Sequence, residues 1–212
     1  EGRGMMTPWL IFGAGGKGVG ALTAELALAE KRPVVALVRN PEAAARLEAL
    51  GARVFIGDAC DADMVAKACQ AAGETATVVS TMGGAQDYLA HRTVIDAAEK
   101  AGIRRMILVT SLGCGDSWPF LSPRAKAAFG QAVREKSLAE SWLQTSTLDY
   151  AILRPAGLLS GEATGNALRV QQQEVHGFVQ RADVAAHIQA LASAPALGQQ
   201  VYSLVEPGLK PA

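Results

Sequence analysis

Seven short apolar runs punctuate the chain: "PWLIFG", "PVVALV", "RVFIGD", "TVVSTM", "RMILVT", "DYAILRP" and "QVYSLVE". Most are apolar throughout instead of alternating, the pattern of strands covered on both faces, as in a parallel sheet. Between them lie segments rich in Ala, Leu, Glu and Lys that read as helices over 19–30, 41–50, 62–72, 86–101 and 124–144. Parallel neighbours need a crossover, and a helix supplies it with the right hand, so the predicted fold is α/β, a doubly wound parallel sheet of the Rossmann type in a single domain. Local punctuation agrees: Asn40 precedes Pro41, Asp61 precedes "ADMVAKAC" as an N-cap, and Gly51 and Gly102 follow helical runs. Two longer irregular stretches, "SLGCGDSWPFLSPRAKAAF" and "GLLSGEATGNALRVQQQEVHG", follow the fifth and sixth strands. Both start at strand C-terminal ends, where open α/β sheets hold ligands, so they read as walls of a substrate site or as plain connections.

Glycine is crowded into one place, "GAGGKGVG" at 13–20, directly between the first strand and the first helix. Gly13, Gly15 and Gly18 form G-x-G-x-x-G: the first permits a tight turn, the second lets backbone close on a pyrophosphate, and the third lets the helix pack near the strand. The free N–H groups and positive dipole end of that helix favour an anion, so a dinucleotide phosphate is the expected ligand, with Gly16, Lys17 and Val19 in the same cradle. Lys17 either adds positive charge beside the phosphates or is a solvated loop lysine. The second strand ends at Arg39, where NAD enzymes usually carry an acidic side chain; a guanidinium there matches a 2′-phosphate, so NADP(H) is the expected cofactor. Asp58, at the end of the third strand, either accepts from the adenine amino group or caps a helix, a task for which Asp61 is better placed. After the fourth strand, "TMGG" puts Thr81, Met82, Gly83 and Gly84 beside the middle of the cofactor or in a structural turn.

Composition narrows the function classes. Of 212 residues half are hydrophobic, which suits one well-filled core. Twenty basic residues balance twenty acidic ones, which argues against a general electrostatic grip on nucleic acid or on an anionic membrane. No apolar run approaches the roughly 18 residues of a membrane span, and no secretory signal opens the chain, so a soluble, cytoplasmic protein is expected. Residues 1–4, ahead of the paired Met5 and Met6, read as an expression scar, leaving 5–212 as the domain. Cys60, Cys69 and Cys114 are odd in number and lack metal-ligand spacing, so they read as ordinary thiols with no metal site.

Nearly end to end, the chain resembles the atypical, NmrA-like and biliverdin/flavin reductase-like members of the short-chain dehydrogenase superfamily. The motifs that carry the resemblance are "GAGGKGVG", "LVRNPE", "GDACD", "VIDAAEKAGIRRMILVTSLG", "REKSLAESWLQTSTLDYAILRPAGL" and "VQRADVAAHI". It implies NADP binding through Gly13, Gly15, Gly18, Arg39 and Asp58, with Ser111 at the end of the fifth strand and "RPAG", including Pro155 and Ala156, lining the nicotinamide side.

One departure from that superfamily is informative. Ordinary members place a tyrosine four residues before the active-site lysine, and Lys136 would need it at position 132, which is alanine. Without a phenol, the usual route for a proton to a carbonyl oxygen is missing, and simple ketone reduction loses support. No histidine follows the proline of "RPAGL"; His91, His176 and His187 lie elsewhere, His187 reading as a partly buried helix residue. A hydride can still pass to a planar conjugated acceptor such as a flavin, a quinone or a linear tetrapyrrole, with the protein positioning two flat partners. Ser111 is the candidate catalytic donor to that acceptor, or else bonds a strand-end backbone group or the nicotinamide carboxamide. Lys136 either meets the cofactor ribose or is a solvated helix lysine. The 57 residues after Pro155 are too few for a large substrate domain, so the pocket is expected to be shallow, with Trp118, Phe120 and Phe129 either available to stack on the acceptor or taken up in core or surface packing. The expected reading is an NADPH-dependent reductase of such a small molecule, acting as monomer or homodimer. A second reading is a non-catalytic NADP(H) sensor of the NmrA type; a sugar-nucleotide epimerase would need the missing Tyr and a longer C-terminal portion.

Overall fold

A computed structural model describes residues 6–212; the scar expected at 1–4 lies outside them. In β1 (Trp9–Phe12), Trp9 and Ile11 face one core while Leu10 and Phe12 face the other, and all four are fully buried. A strand sealed on both sides has no polar face to show, which is why the run lacks alternation. The same holds for β2 (Val34–Val38), β4 (Thr77–Ser80), β5 (Arg105–Val109) and β6 (Asp149–Pro155), whereas β3 (Arg53–Ile56) is half exposed at the sheet edge. With β10 (Gln200–Val205) these are the seven expected strands, and all of them pair in parallel.

The helices alternate with them as α1 (Val19–Ala29), α2 (Pro41–Ala49), α3 (Ala62–Ala72), α4 (Asp87–Lys100) and α5 (Pro123–Gln144), followed by α6 (Arg181–Ala192). Helices α1, α2 and α6 contribute to one core and α3, α4 and α5 to the other. The expected caps form: the Asn40 side chain accepts from the N–H groups of Glu42 and Ala43, and that of Asp61 from Asp63 and Met64. Each such cap supports its helix by about 1 kcal/mol. Helix α5 begins one residue before the expected start because Ser122 caps it and Pro123 fills the first turn.

The stretch after β6 is less irregular than its sequence suggests. It contains β7 (Gly157–Leu159) and β8 (Leu168–Val170); β7 pairs with β9 (Phe178–Gln180), and β8 closes the sheet edge antiparallel to β10. These strands are three residues each, β7 and β8 largely exposed and β9 with only Val179 buried, so no hydrophobic period marks them; pairing partners far along the chain create them. The stretch after β5 similarly holds a 3-10 turn over Gly115–Phe120 before α5. The main sheet runs β3-β2-β1-β4-β5-β6-β10-β8. Strand order reverses between β1 and β4, and a crevice opens outside the strand ends there.

Candidate active site

The crevice is a cleft of about 710 Å³, lined by residues that follow four strands: Gly13 and Gly15 after β1, Arg39 and Asn40 after β2, Gly57 to Cys60 after β3, and Met82 to Gln86 after β4. Six expected cofactor residues therefore meet there: Gly13, Gly15, Arg39, Asp58, Met82 and Gly83. Gly13 makes the turn with φ +101°, a conformation that L side chains rarely adopt. A Cβ built on Gly15 would touch only Val38, at 3.8 Å, and one on Gly16 or Gly18 would meet nothing within 4 Å. The loop is thus a space that side chains would fill. The N–H groups of Gly15, Gly16 and Gly18 find no protein acceptor among the described residues, and helix α1 begins with Val19 just beyond them. Free donors, open space and a helix N-terminus together suit a diphosphate.

The packing role expected of Gly18 belongs to Gly20. A Cβ on Gly20 would lie 2.2 Å from the carbonyl oxygen of Gly13 and 2.5 Å from Thr81 Oγ1, so this glycine lets α1 press against the loop. Gly18 instead stands at the N-cap position of α1. Thr81 Oγ1 donates to the Gly13 carbonyl at 3.4 Å, holding the glycine turn to the end of β4. Arg46 is a further member that the sequence reading missed. From α2 its guanidinium donates to the carbonyls of Ala14 (3.0 Å) and Gly16 (3.3 Å), satisfying carbonyls of the loop from the side of α2. Its only sequence signal is a basic residue in the last turn of the helix beside the loop.

Arg39 has a side chain 72% exposed and pairs loosely with Asp58, Nη2 to Oδ2 at 3.2 Å. Such a pair is weak, so the guanidinium is available to a phosphate. Asp58 Oδ1 accepts from the Cys60 N–H at 2.8 Å. That backbone bond outweighs what little burial does, and with Arg39 it holds the Asp58 carboxyl below its ordinary range. Asp58 therefore shapes the β3–α3 turn and pairs Arg39, while Asp61 does the helix capping. Lys17 is exposed and makes no ion pair among the described residues.

The three thiols match their expected ordinary character. Burial pushes Cys69 and Cys114 up to about 11, and burial together with the Asp58 charge raises Cys60. None is poised as a thiolate.

On the acceptor side the outcome is mixed. The Ser111 hydroxyl donates to the Leu112 carbonyl at 2.9 Å, the backbone alternative, and Ser111 does not line the cleft. Pro155 and Ala156 are buried at the end of β6, where the Pro155 carbonyl accepts from Leu112 N–H at 3.0 Å. Phe120 is 42% exposed and lines a groove of about 540 Å³ with Arg154, Ser203 and glutamines 171–173, 199 and 200. Trp118 is turned the other way: its ring carries Lys126 Nζ at 4.9 Å and abuts Gly130. Helix packing claims that indole, and of the two aromatics expected at an acceptor only Phe120 lines this groove. Phe129 is exposed at a kink of α5, with φ −140° and ψ 21°.

Lys136 is not the solvated helix lysine offered as one alternative for it. Its Nζ donates to the Met82 carbonyl (2.8 Å) and to Asp87 Oδ2 (2.7 Å), and its side chain is 17% exposed. His187 is the partly buried α6 residue expected; burial, then the neighbouring Arg169, lowers its pKa.

The family model described as NAD(P)H-binding matches residues 13–195. The chain belongs to the NAD(P)H-binding family. ChuY of Escherichia coli O157:H7, an anaerobilin reductase, is 78% identical, with a TM-score of 0.96 over 97% of this chain and 100% of its own. The uncharacterized sugar epimerase YhfK of Bacillus subtilis (strain 168) is 33% identical over 161 residues, 71% of each chain. Sanguinarine reductase of Eschscholzia californica is 34% identical over 111 residues, which is 50% of this chain and 40% of the plant protein. Membership of this NAD(P)H-binding family agrees with the motifs and with the doubly wound sheet, and no helix among the described residues is long and apolar enough to cross a membrane.

Proposed function

We propose that the protein is an NADPH-dependent reductase that passes a hydride to a planar conjugated acceptor of the linear tetrapyrrole class. The observation that carries this reading is the 78% identity, across 97% of the chain, to a reductase of that substrate class. The site is consistent with it. When bound, NADPH supplies the hydride; the chain's own part is to bind and to orient. Gly15, Gly16 and the start of α1 receive the diphosphate, Arg39 receives the 2′-phosphate, and Arg46 and Thr81 hold the glycine loop in shape. Ala132 leaves no phenol to protonate a carbonyl oxygen, so the proton gained by the acceptor comes from solvent entering the open side of the cleft. An extended conjugated system tolerates this because its charge is delocalised. The epimerase reading suggested by the name of YhfK has no Tyr at position 132 to support it.

Anaerobic NADPH oxidation by the purified protein tests the proposal, with a linear tetrapyrrole, FMN and a simple ketone compared side by side. Turnover is expected with the tetrapyrrole and not with the ketone. Tight NADPH binding with no turnover of any conjugated acceptor would instead make the protein a sensor of the cofactor.

Replacement of Arg39 addresses the cofactor choice. Losing charged hydrogen bonds to the 2′-phosphate and placing a carboxylate there should raise the NADPH Kd of Arg39→Glu by about 10- to 100-fold. Affinity for NADH should change by no more than about threefold, because that cofactor has a hydroxyl at the same place. Calorimetric titration of both nucleotides decides it, and equal losses would remove Arg39 from the 2′-phosphate site.

A further inference from the structure

Beneath the β4–α4 corner lies a hydrogen-bonded chain that none of the roles above uses. Ser80, Asp87 and His91 are all buried, at 0%, 2% and 0% exposure. His91 Nδ1 lies 2.7 Å from Asp87 Oδ1 and 3.0 Å from the Asp87 carbonyl, while its Nε2 lies 2.6 Å from Ser80 Oγ. Asp87 Oδ2 accepts from Lys136, which also donates to the Met82 carbonyl, and Met82 N–H donates to Ser80 Oγ at 3.3 Å. The links close into a ring around Thr81 and Met82, the segment that leaves β4 and enters the cleft.

Donor and acceptor counting constrains this ring: two acceptors face Nδ1, so Nδ1 carries a proton, and Ser80 Oγ accepts from Met82 N–H while lying within hydrogen-bond distance of Nε2. Burial alone would raise the Asp87 carboxyl, but the bond from His91 and the Lys136 ammonium outweigh it and hold it below its ordinary range. Lys136 has three N–H donors and spends two inside the ring. Its Nζ would lie 3.7 Å from a Cβ on Gly83, a residue of the cleft wall.

We infer that Asp87 and His91 are positioning residues for the cofactor: acting through Lys136 and Ser80, they fix the Met82–Gly83 wall of the cleft and aim an ammonium donor at its edge. The inference rests on the dinucleotide reading of the cleft. In the sequence Asp87 and His91 are four residues apart, on one face of α4, a spacing that brings two side chains together.

A double-mutant cycle in the full-length protein tests it, with NADPH affinity measured by calorimetry for wild type, Asp87→Asn, Lys136→Met and the double variant. Asp87→Asn is expected to raise the Kd about tenfold, as loss of a charged hydrogen bond that sets a binding wall would. The double variant is expected to bind no worse than Lys136→Met within about threefold, because the two residues act as one unit. A purely structural role would lower the unfolding midpoint and leave the affinity of the folded protein unchanged; that result, or fully additive losses, overturns the inference. Nitrogen-15 NMR of the wild type needs no variant to fold. It should show a proton on His91 Nδ1, with ring signals that shift on NADPH addition although the ring is buried. An Nδ1 without a proton, or signals unmoved by saturating NADPH, overturns it too. A wild type that binds no NADPH defeats the dinucleotide reading itself, whereas normal wild-type binding with an indifferent Asp87→Asn defeats this inference alone.

Discussion

Gly15→Val is expected to fold with the wild-type midpoint and yet lose at least about a hundredfold in affinity for NADPH and NADH alike, because a side chain there occupies the path of the pyrophosphate. Gly20→Ala, five residues on, is expected to fail in the opposite manner. The difference lies in what a Cβ meets. On Gly15 it makes only an ordinary contact with Val38 at 3.8 Å, so the substituted side chain has room to fold and must project toward the ligand. On Gly20 it would sit 2.2 Å from a backbone oxygen of Gly13 and 2.6 Å from the carbon that bears it. Backbone cannot rotate aside as the end of a flexible side chain can, so α1 must lift away from the loop. Alanine gains about 1 kcal/mol in helix propensity over glycine, while overpacking costs about 1–3 kcal/mol or more. A clash this severe falls at the upper end, and the balance is destabilising by about 1–2 kcal/mol, or several degrees of Tm for a chain of this size. Thermal unfolding and nucleotide titration of both variants measure the two outcomes separately. Binding by Gly15→Val within tenfold of wild type would displace the diphosphate from this loop, and a Gly20→Ala variant as stable as wild type would show that the close approach is not needed.

That pair of glycines also marks how far the sequence could be read. The glycine motif, its place between strand and helix, and Arg39 one strand over are local patterns, and the fold brings Gly13, Gly15 and Arg39 to one cleft as such patterns require. Helix packing falls to Gly20 and not to Gly18 because spacing names a glycine without showing which backbone atom approaches it; the neighbour of Gly20 is the carbonyl of Gly13, seven residues earlier in the loop. The seven long strands were legible because burial on both faces leaves a continuous apolar run. Strands β7, β8 and β9 were not, since three residues are too few to carry a period and owe their geometry to distant partners.

The polar interior was the least legible part. His91 and Asp87 sit four apart on a helix, a spacing shared with any solvated pair, and nothing local tells that both are buried. Their partners, Ser80 and Lys136, come from a strand and from α5. Trp118 shows the same limit from the other side. An aromatic residue in a loop beside a strand end suits stacking on a ligand, yet Gly130 leaves a gap on α5 that the indole fills. Complementarity of that kind is a property of two elements together.

Arg154 supplies the largest expected effect on stability. Its side chain is 7% exposed at the end of β6; Nε and Nη2 meet the two oxygens of Glu140, at 3.0 and 2.7 Å, and Nη1 reaches Asp116. Burial alone would favour loss of its proton, but the bonds and charge of Glu140, with Asp116, more than offset that and push its pKa higher. Glu140, itself 1% exposed, also accepts from Thr110 Oγ1 at 2.7 Å. Replacing Arg154 by Met leaves that carboxylate buried with only a hydroxyl partner, so Arg154→Met should cost about 3–5 kcal/mol, equivalent to a fall of about ten degrees in Tm. The double variant Arg154→Met/Glu140→Leu should recover most of the loss, because it removes the stranded charge along with its partner. Chemical and thermal unfolding of the three proteins provide the measurement. A single variant within about 1 kcal/mol of wild type would mean that water reaches Glu140. The same network couples stability to the acceptor side: Arg154 Nη2 lies where a Cβ on Gly115 would be, 2.4 Å away, and Asp116 belongs to the 3-10 turn that ends in Phe120. Loss of the guanidinium therefore frees the turn that presents Phe120, and the single variant should raise the KM for the conjugated acceptor more than that for NADPH.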